Sequence, residues 1–378
     1  MKKLIFFTSL LILSSGNILS QSGWFQIQSP TSAFINTSFF NSSETGFIGT
    51  DSGSVYRTTN GGLNWLVVDT PPNRSITKII FVNSNTGYLI CYTFSNYNYL
   101  FKSTNSGLNW NLINVPFAGI PWSIYFINTD IGYITLNSLI VKTTNGGNTW
   151  DTSRVENPSN TYISTEGIQF NNAQTGFIIG CHQFPPYFIN KVLWMTINSG
   201  QNWTRINTLP GCGWLDISFV NANTGYVIGT NSSIIKTVNG GINWNLINFS
   251  SPNLQDLHSI AILNNNKIYI CGNKGAIYTN NGGNNWFSAQ LPFKIYFSVC
   301  FPDSIIGYIS GEHGTIYKTT NGGEPIGIQI ISANFPFSFF LHQNYPNPFN
   351  PVTKIKFDIP QNHLPLQGGD REGDLKNI

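Results

Sequence analysis

The phrase Thr58-Thr59-Asn60-Gly61-Gly62-Leu63-Asn64-Trp65 decides how the chain is read, because it returns as STNSGLNW (103–110), TTNGGNTW (143–150), TINSGQNW (196–203), TVNGGINW (237–244) and TNNGGNNW (279–286). The copies end in Trp65, Trp110, Trp150, Trp203, Trp244 and Trp286, spaced 40 to 53 residues apart. That is the length of one four-stranded propeller blade. A seventh copy, TTNGGEPI (319–326), stops before any Trp. Each phrase reads as a hairpin. Its third residue (Asn60, Asn105, Asn145, Asn198, Asn239, Asn281 and Asn321) can accept hydrogen bonds from its own turn and tolerates positive φ, as do the glycines after it. The Trp then opens the outgoing strand, where its ring is expected to cover the turn and fill the wedge between neighbouring sheets.

A second column lies upstream of each hairpin, an aromatic residue six positions before a glycine: Phe40/Gly46, Phe81/Gly87, Phe126/Gly132, Phe170/Gly176, Phe219/Gly225 and Phe301/Gly307, with Ile262 in the sixth repeat. Two positions earlier stand Ser38, Ile79, Ile124, Ile168, Ile217, Ile260 and Val299, and a spacing of two marks one face of a strand. Each repeat therefore predicts four antiparallel strands, seven times over. The missing seventh Trp strand has a substitute near the N-terminus, where Trp24 precedes Trp65 by 41 residues, in register with the rest. The expected fold is all-β: a seven-bladed propeller over 22–326, closed by its N-terminal strand, which hides edges that would otherwise invite aggregation.

Only 9% of the 378 residues are charged, against roughly 25% in ordinary soluble domains. Forty-nine Asn supply the polarity instead. The net charge of +3 is spread without a basic run, which excludes a nucleic-acid binder. Lys2-Lys3, the apolar run Leu4 to Leu13 and a small residue before Gln21 give residues 1–21 the pattern of a cleaved signal peptide. Five scattered cysteines without a CxxC make neither a disulfide framework nor a metal site, although Cys181 and Cys212, at loop ends in adjoining repeats, can pair in an oxidising compartment.

The phrase resembles the Asp-box repeat of sialidases, sortilin-type receptors and xyloglucanases. With the preceding Thr-Gly-Tyr/Phe strand it is most similar to the photosystem II stability/assembly factor family and its exported bacterial relatives. That resemblance implies the propeller fold far more firmly than an activity, since one fold hosts many functions. Phe339 to Pro360, with HQNYPNPFNP at its centre, is similar to the opening of the C-terminal sorting domain of type IX secretion cargo. It gives a partial, β-type sorting segment over 327–360, and the following 361–378 departs from that pattern as an aberrant or disordered tail.

Chemistry is expected on the face carrying the loops between second and third strands and the connections between blades, because function concentrates in loops on rigid scaffolds. The longer loops of blade 2 (Tyr92, Phe94, Tyr97, Tyr99) and blade 4 (His182, Phe184, Tyr187, Phe188) are ligand candidates. So are Trp122 and His258, at the mouth of a channel ringed by Thr37, Lys78, Ser123, Gly167, Asp216, Ser259 and Ser298. Glu166 and Asp216 form the one carboxylate pair that glycoside hydrolysis could use, which needs a separation of roughly 5–9.5 Å. Four arginines in the propeller (Arg57, Arg74, Arg154, Arg205) do not make a sialidase triad. No nucleophile elbow, zinc signature or nucleotide loop is present, so no cofactor or metal is expected. The sequence thus reads as an exported, monomeric, non-enzymatic binding or adhesion module for a glycan or protein ligand, engaging the type IX machinery through its C-terminal segment. Two alternatives are a xyloglucanase-like hydrolase and an assembly-factor-like scaffold for a membrane complex.

Overall fold

The computed structural model describes residues 22–68, 74–93, 98–115, 119–155, 162–184, 188–210, 213–248 and 255–325, with the short strands 340–341 and 357–358. The expected signal peptide, most of the sorting segment and the tail lie outside the described residues, as do Phe94, Tyr97, Tyr187 and Cys212. One unit, Gln21–Ile326, is the propeller; the other contains the antiparallel pair Phe340–Leu341 and Phe357–Asp358.

Seven antiparallel sheets of four strands make the seven blades. The innermost strands are Ile35–Phe40, Ser75–Phe81, Pro121–Phe126, Tyr162–Phe170, Trp214–Phe219, Leu257–Ile262 and Tyr296–Cys300. The seventh sheet takes its outer strand from the N-terminus, with Trp24 opposite Thr319 and Gln26 opposite Tyr317. The only helix among the described residues is one 3-10 turn, Glu312–Gly314.

The repeated residues pack as one device. Each column Phe stacks on the second-strand aromatic of the preceding blade: Phe126 on Tyr88 at 3.9 Å, Phe170 on Tyr133 at 4.3 Å, Phe301 on Tyr269 at 5.0 Å, and Phe40 on Tyr308 across the closure at 3.5 Å. Such pairs contribute about 0.5–1.5 kcal/mol each beyond area burial. The glycine six residues on lies flat under the ring; a Cβ on Gly46 would come within 2.3 Å of Phe40. The Trp presents its edge to the same Phe (Trp65 to Phe40, Trp110 to Phe81, Trp203 to Phe170, Trp244 to Phe219), and Trp24 does this for Phe301.

Within the hairpin, Thr58 Oγ1 accepts the Gly62 N–H (2.9 Å) and donates to Asn60 Oδ1 (3.0 Å), which accepts the Asn64 N–H (2.9 Å). The left-handed backbone expected to be tolerated at the Asn falls on the two residues after it, Gly61 (φ 66°) and Gly62 (φ 86°). The Asn serves as acceptor instead. Neighbouring blades then clamp this turn. Lys318 Nζ and Tyr308 Oη both donate to the Gly61 carbonyl (2.8 and 3.2 Å), and Lys102 with Tyr88, Lys142 with Tyr133, and Lys236 with Tyr226 do the same to Gly146, Ser199 and Gly282.

Candidate functional site

Every innermost strand carries a β-bulge at one place, four residues before the Phe column. The ladder skips Asn36, Thr77, Trp122, Glu166, Leu215, His258 and Phe297. A bulge adds one unpaired residue and re-aims its side chain. Here all seven are half-exposed and line one central cavity of about 720 Å³. The residue before each bulge is buried instead, as with Ile35, Ile76, Thr165, Trp214, Leu257 and Tyr296. Seven equivalent backbone irregularities thus present seven different side chains at the channel mouth.

Below this crown, the predicted polar ring does structural work. Thr37 Oγ1 accepts the Ile79 N–H (3.4 Å), Ser259 Oγ that of Val299 (3.3 Å), and Ser298 Oγ that of Ser38 (3.1 Å), each from the next blade. Asp216 performs the same task, its Oδ2 accepting the Ile260 N–H (3.0 Å) while Oδ1 accepts that of Ile217 (2.9 Å). Burial raises its pKa above the usual carboxylate range, opposed by the charge of Lys78 and by these donors. Ser123, expected on the wall, is fully buried with its hydroxyl unpartnered, and neither it nor Gly167 lines the cavity.

Glu166 is placed differently. As a bulge residue it faces the cavity, and its carboxylate is met by the Ser164 hydroxyl of its own strand. Burial raises its pKa, with the Ser164 bond working against that. Glu166 and Asp216 therefore share the cavity, on adjoining blades, in unlike settings.

Two aromatic sectors flank the acids. Trp122 donates its indole N–H to Asn137 Oδ1 (3.2 Å), leaving its ring beside Tyr92 with centroids 6.4 Å apart. On the other side His258 lies 5.4 Å from Phe297, whose ring also meets Phe34, and Phe34 meets His313. His258 Nε2 bonds Asn273 Oδ1 (2.9 Å), which fixes the imidazole. Phe297 and Phe34 are additions to the candidates read from the sequence, and His313, which stands alone there, joins them through Phe34. Phe297 could have been found from the apolar residue at minus five, out of phase with the column, which signals the bulge.

Of the loop candidates, Tyr99 sits under the Arg74 guanidinium, 3.7 Å from its ring centroid, and packs against the blade. His182, Phe184 and Phe188 are on strands, not in a loop: the blade 4 ladder runs on through Cys181 opposite Lys191 to Phe184 opposite Phe188. The β-prone run on both sides of the turn keeps the pairing going. With Cys212 outside the described residues the expected bridge is not placed, but its neighbour Gly213 lies against Cys181, where a Cβ would come within 3.3 Å of Cys181 Cβ.

Residues 102–214 and 209–334 match the family described as photosynthesis system II assembly factor YCF48. The chain belongs to that family. The photosystem II assembly lipoprotein Ycf48 of Synechococcus sp. (strain CC9902) is 28% identical over 141 residues, 36% of this chain and 42% of that relative, so the match spans less than half the relative's length. Among solved structures, YCF48 bound to D1 peptide superposes with a TM-score of 0.60 at 17% identity, over 80% of this chain and 98% of that one. The GH74 xyloglucanase from Xanthomonas campestris gives 0.61 at 11% identity, over 80% of this chain but 54% of the enzyme. At these identities the structural likeness shows the propeller and nothing finer. Membership of the YCF48 family agrees with the resemblance carried by the Asp-box phrase and the Thr-Gly-Tyr/Phe strand.

Proposed function

We propose that the protein is a non-enzymatic binding propeller of the assembly-factor kind, which holds an extended segment of a protein partner across the channel mouth. The observation that carries this reading is the crown of seven half-exposed bulge residues, three of them rings, in which Trp122 and His258 are braced by hydrogen bonds to Asn137 and Asn273. Braced rings offer large contact area at little entropic cost. A solved structure of the same fold is YCF48 bound to D1 peptide, which supports a polypeptide as ligand class over a glycan. We further propose that the protein works outside the cytoplasm, on the strength of the signal-like 1–21 and the sorting-like 327–360.

The hydrolase alternative rests on the likeness to the xyloglucanase and on the carboxylates. Asp216 speaks against it, because that residue spends both oxygens on backbone N–H groups, in the place where other blades use Ser or Thr. One experiment separates the readings. The mature chain is passed over immobilised peptide and polysaccharide arrays, beside a Trp122→Ala/Phe297→Ala variant. Peptide retention that the variant loses, with an unchanged melting temperature, is the expected result. Turnover of β-glucans that disappears in Glu166→Gln would replace this reading with the hydrolase, and co-purification with a membrane complex would name the partner's setting.

A further inference from the structure

We propose that the mouth of the channel between blades 3 and 4 receives a cationic side chain, lysine or arginine, from the bound polypeptide, with Glu166 as its counter-ion and the Trp122 ring as the wall it lies against. This rests on the peptide-binding reading above and adds the chemistry of the residue bound.

Trp122 and Glu166 are tied to a single turn residue. Asn137, held at φ 56°, accepts the Trp122 indole N–H on its side chain, and its carbonyl accepts the hydroxyl of Thr165, next to Glu166. The Thr135 hydroxyl donates back to the Thr165 carbonyl (3.0 Å). The two side chains are therefore fixed relative to each other by the junction of blades 3 and 4, and both line the cavity.

That sector is short of positive charge. Among the described residues the only ion pair joins Lys267 to Glu324, and neither of these lines the cavity. Lys78, the cation that does line it, bears on Asp216, whose pKa its charge lowers. Glu166 has the neutral Ser164 hydroxyl and no ion-pair partner. Three residues along the same strand, Gln169 lines the cavity with a buried, unpartnered amide oxygen. A carboxylate, a spare amide oxygen and the negative face of an indole make a set of acceptors with no cation among them. An ammonium or guanidinium group supplies donors and charge together, and aromatic faces attract cations. A neutral or acidic side chain would leave the carboxylate as it is, or repel it.

The test uses the full mature chain and fluorescein-labelled Gly/Ser decapeptides that differ at one central residue: lysine, arginine, norleucine or glutamate. Fluorescence anisotropy should show the lysine and arginine peptides binding at least about tenfold tighter than norleucine, with glutamate weakest. Added salt should narrow the gap. Glu166→Gln should bring the lysine and arginine peptides down to the level of norleucine, and Trp122→Phe should retain the preference where Trp122→Ala does not. Equal binding of all four peptides would overturn the cation site while the binding face stands, if that binding still needs Trp122. A preference that survives in Glu166→Gln would also overturn it. Failure of every peptide to bind would remove both this inference and the reading beneath it.

Discussion

The two ends of the propeller follow opposite rules. At the Asp-box end one sequence phrase makes one structure repeatedly: the same Thr or Ser, Asn and Gly atoms close each turn, and a Lys and Tyr from blades 7, 2, 3 and 5 grip the same carbonyl in the turns of blades 1, 3, 4 and 6. At the channel mouth the backbone repeats as faithfully, with a bulge in every blade, yet no two of the seven bulge residues are alike. Where side chains repeat, they hold the ring together. Where only the backbone repeats, the side chains are free to meet something else. Substitutions at the first end should therefore change stability without changing binding, and substitutions at the second should do the reverse.

The largest effect is expected at the closure. Trp24 is buried at the join of the chain's beginning and end, edge-on to Phe301 and Tyr269. Trp24→Ala should cost about 3–5 kcal/mol in a denaturant titration, the range for emptying a large aromatic site. A loss far smaller would mean that the N-terminal strand does not latch the ring. Next comes the clamp. Lys318→Met removes a charged donor 2.8 Å from the Gly61 carbonyl and should cost about 1.5–3 kcal/mol, with peptide binding unaltered. If binding fell in parallel with stability, the division between the two ends would break.

These expectations also mark how far the sequence could be read. The Trp and Phe columns, the hairpin phrase and the substitute strand at Trp24 were legible because each is a repeated solution to one packing problem. The stacking of Phe on the preceding blade's Tyr was not legible, since it joins residues from different repeats. The bulges were half-legible: strict alternation assigns the minus-four position to the sheet interior, and only the buried residue at minus five shows the shift. Blade 4 misled for another reason. Cys181 to Lys191 looks like a loop by its prolines and aromatics, but pairing extends to Phe184 because nothing on the flanking strands interrupts the ladder.

The carboxylates sharpen the comparison within the channel itself. Asp216→Asn leaves one of two backbone N–H groups facing an amide donor and should cost about 1–3 kcal/mol. Asp216→Ser, the residue that blades 6 and 7 use at this place, should cost less than Asp216→Asn. Equal losses would mean that charge, not the acceptor position, matters there. Glu166→Gln should go the other way. Its folded-state pKa is raised by burial, so near and above the ordinary carboxylate value of about 4.3 the folded chain holds the proton more firmly than the unfolded one. Stability tied to Glu166 is thus fully present at acid pH and declines as pH rises through the raised value. The melting temperatures of wild type and Glu166→Gln should converge at low pH, with the variant higher at neutral pH. A variant less stable at pH 7 would show that the carboxylate is already compensated within the fold.

The smallest effect tests how closely the Asp-box end must repeat. Ser106 and Ser199 hold the left-handed position (φ 58° and 56°) that glycine holds in the other copies, such as Gly61 and Gly146 at 66°. An L-residue there costs about 1–2 kcal/mol in backbone strain. Glycine would relieve that strain and surrender about 0.5–1 kcal/mol to the greater freedom of the unfolded chain. It would also lose an exposed hydroxyl bond, to Asn85 Oδ1 from Ser106 or to the Ala173 carbonyl from Ser199. The carbonyls gripped by the neighbouring blade, Ser106 by Arg57 and Ser199 by Lys142 and Tyr133, survive the change. The three contributions nearly cancel, so each Ser→Gly variant should move the denaturation free energy by less than about 1 kcal/mol. A drop larger than that would assign the hydroxyl, and not the backbone angle, the decisive part in those two turns, and the Asp-box end would then vary by design as the channel mouth does.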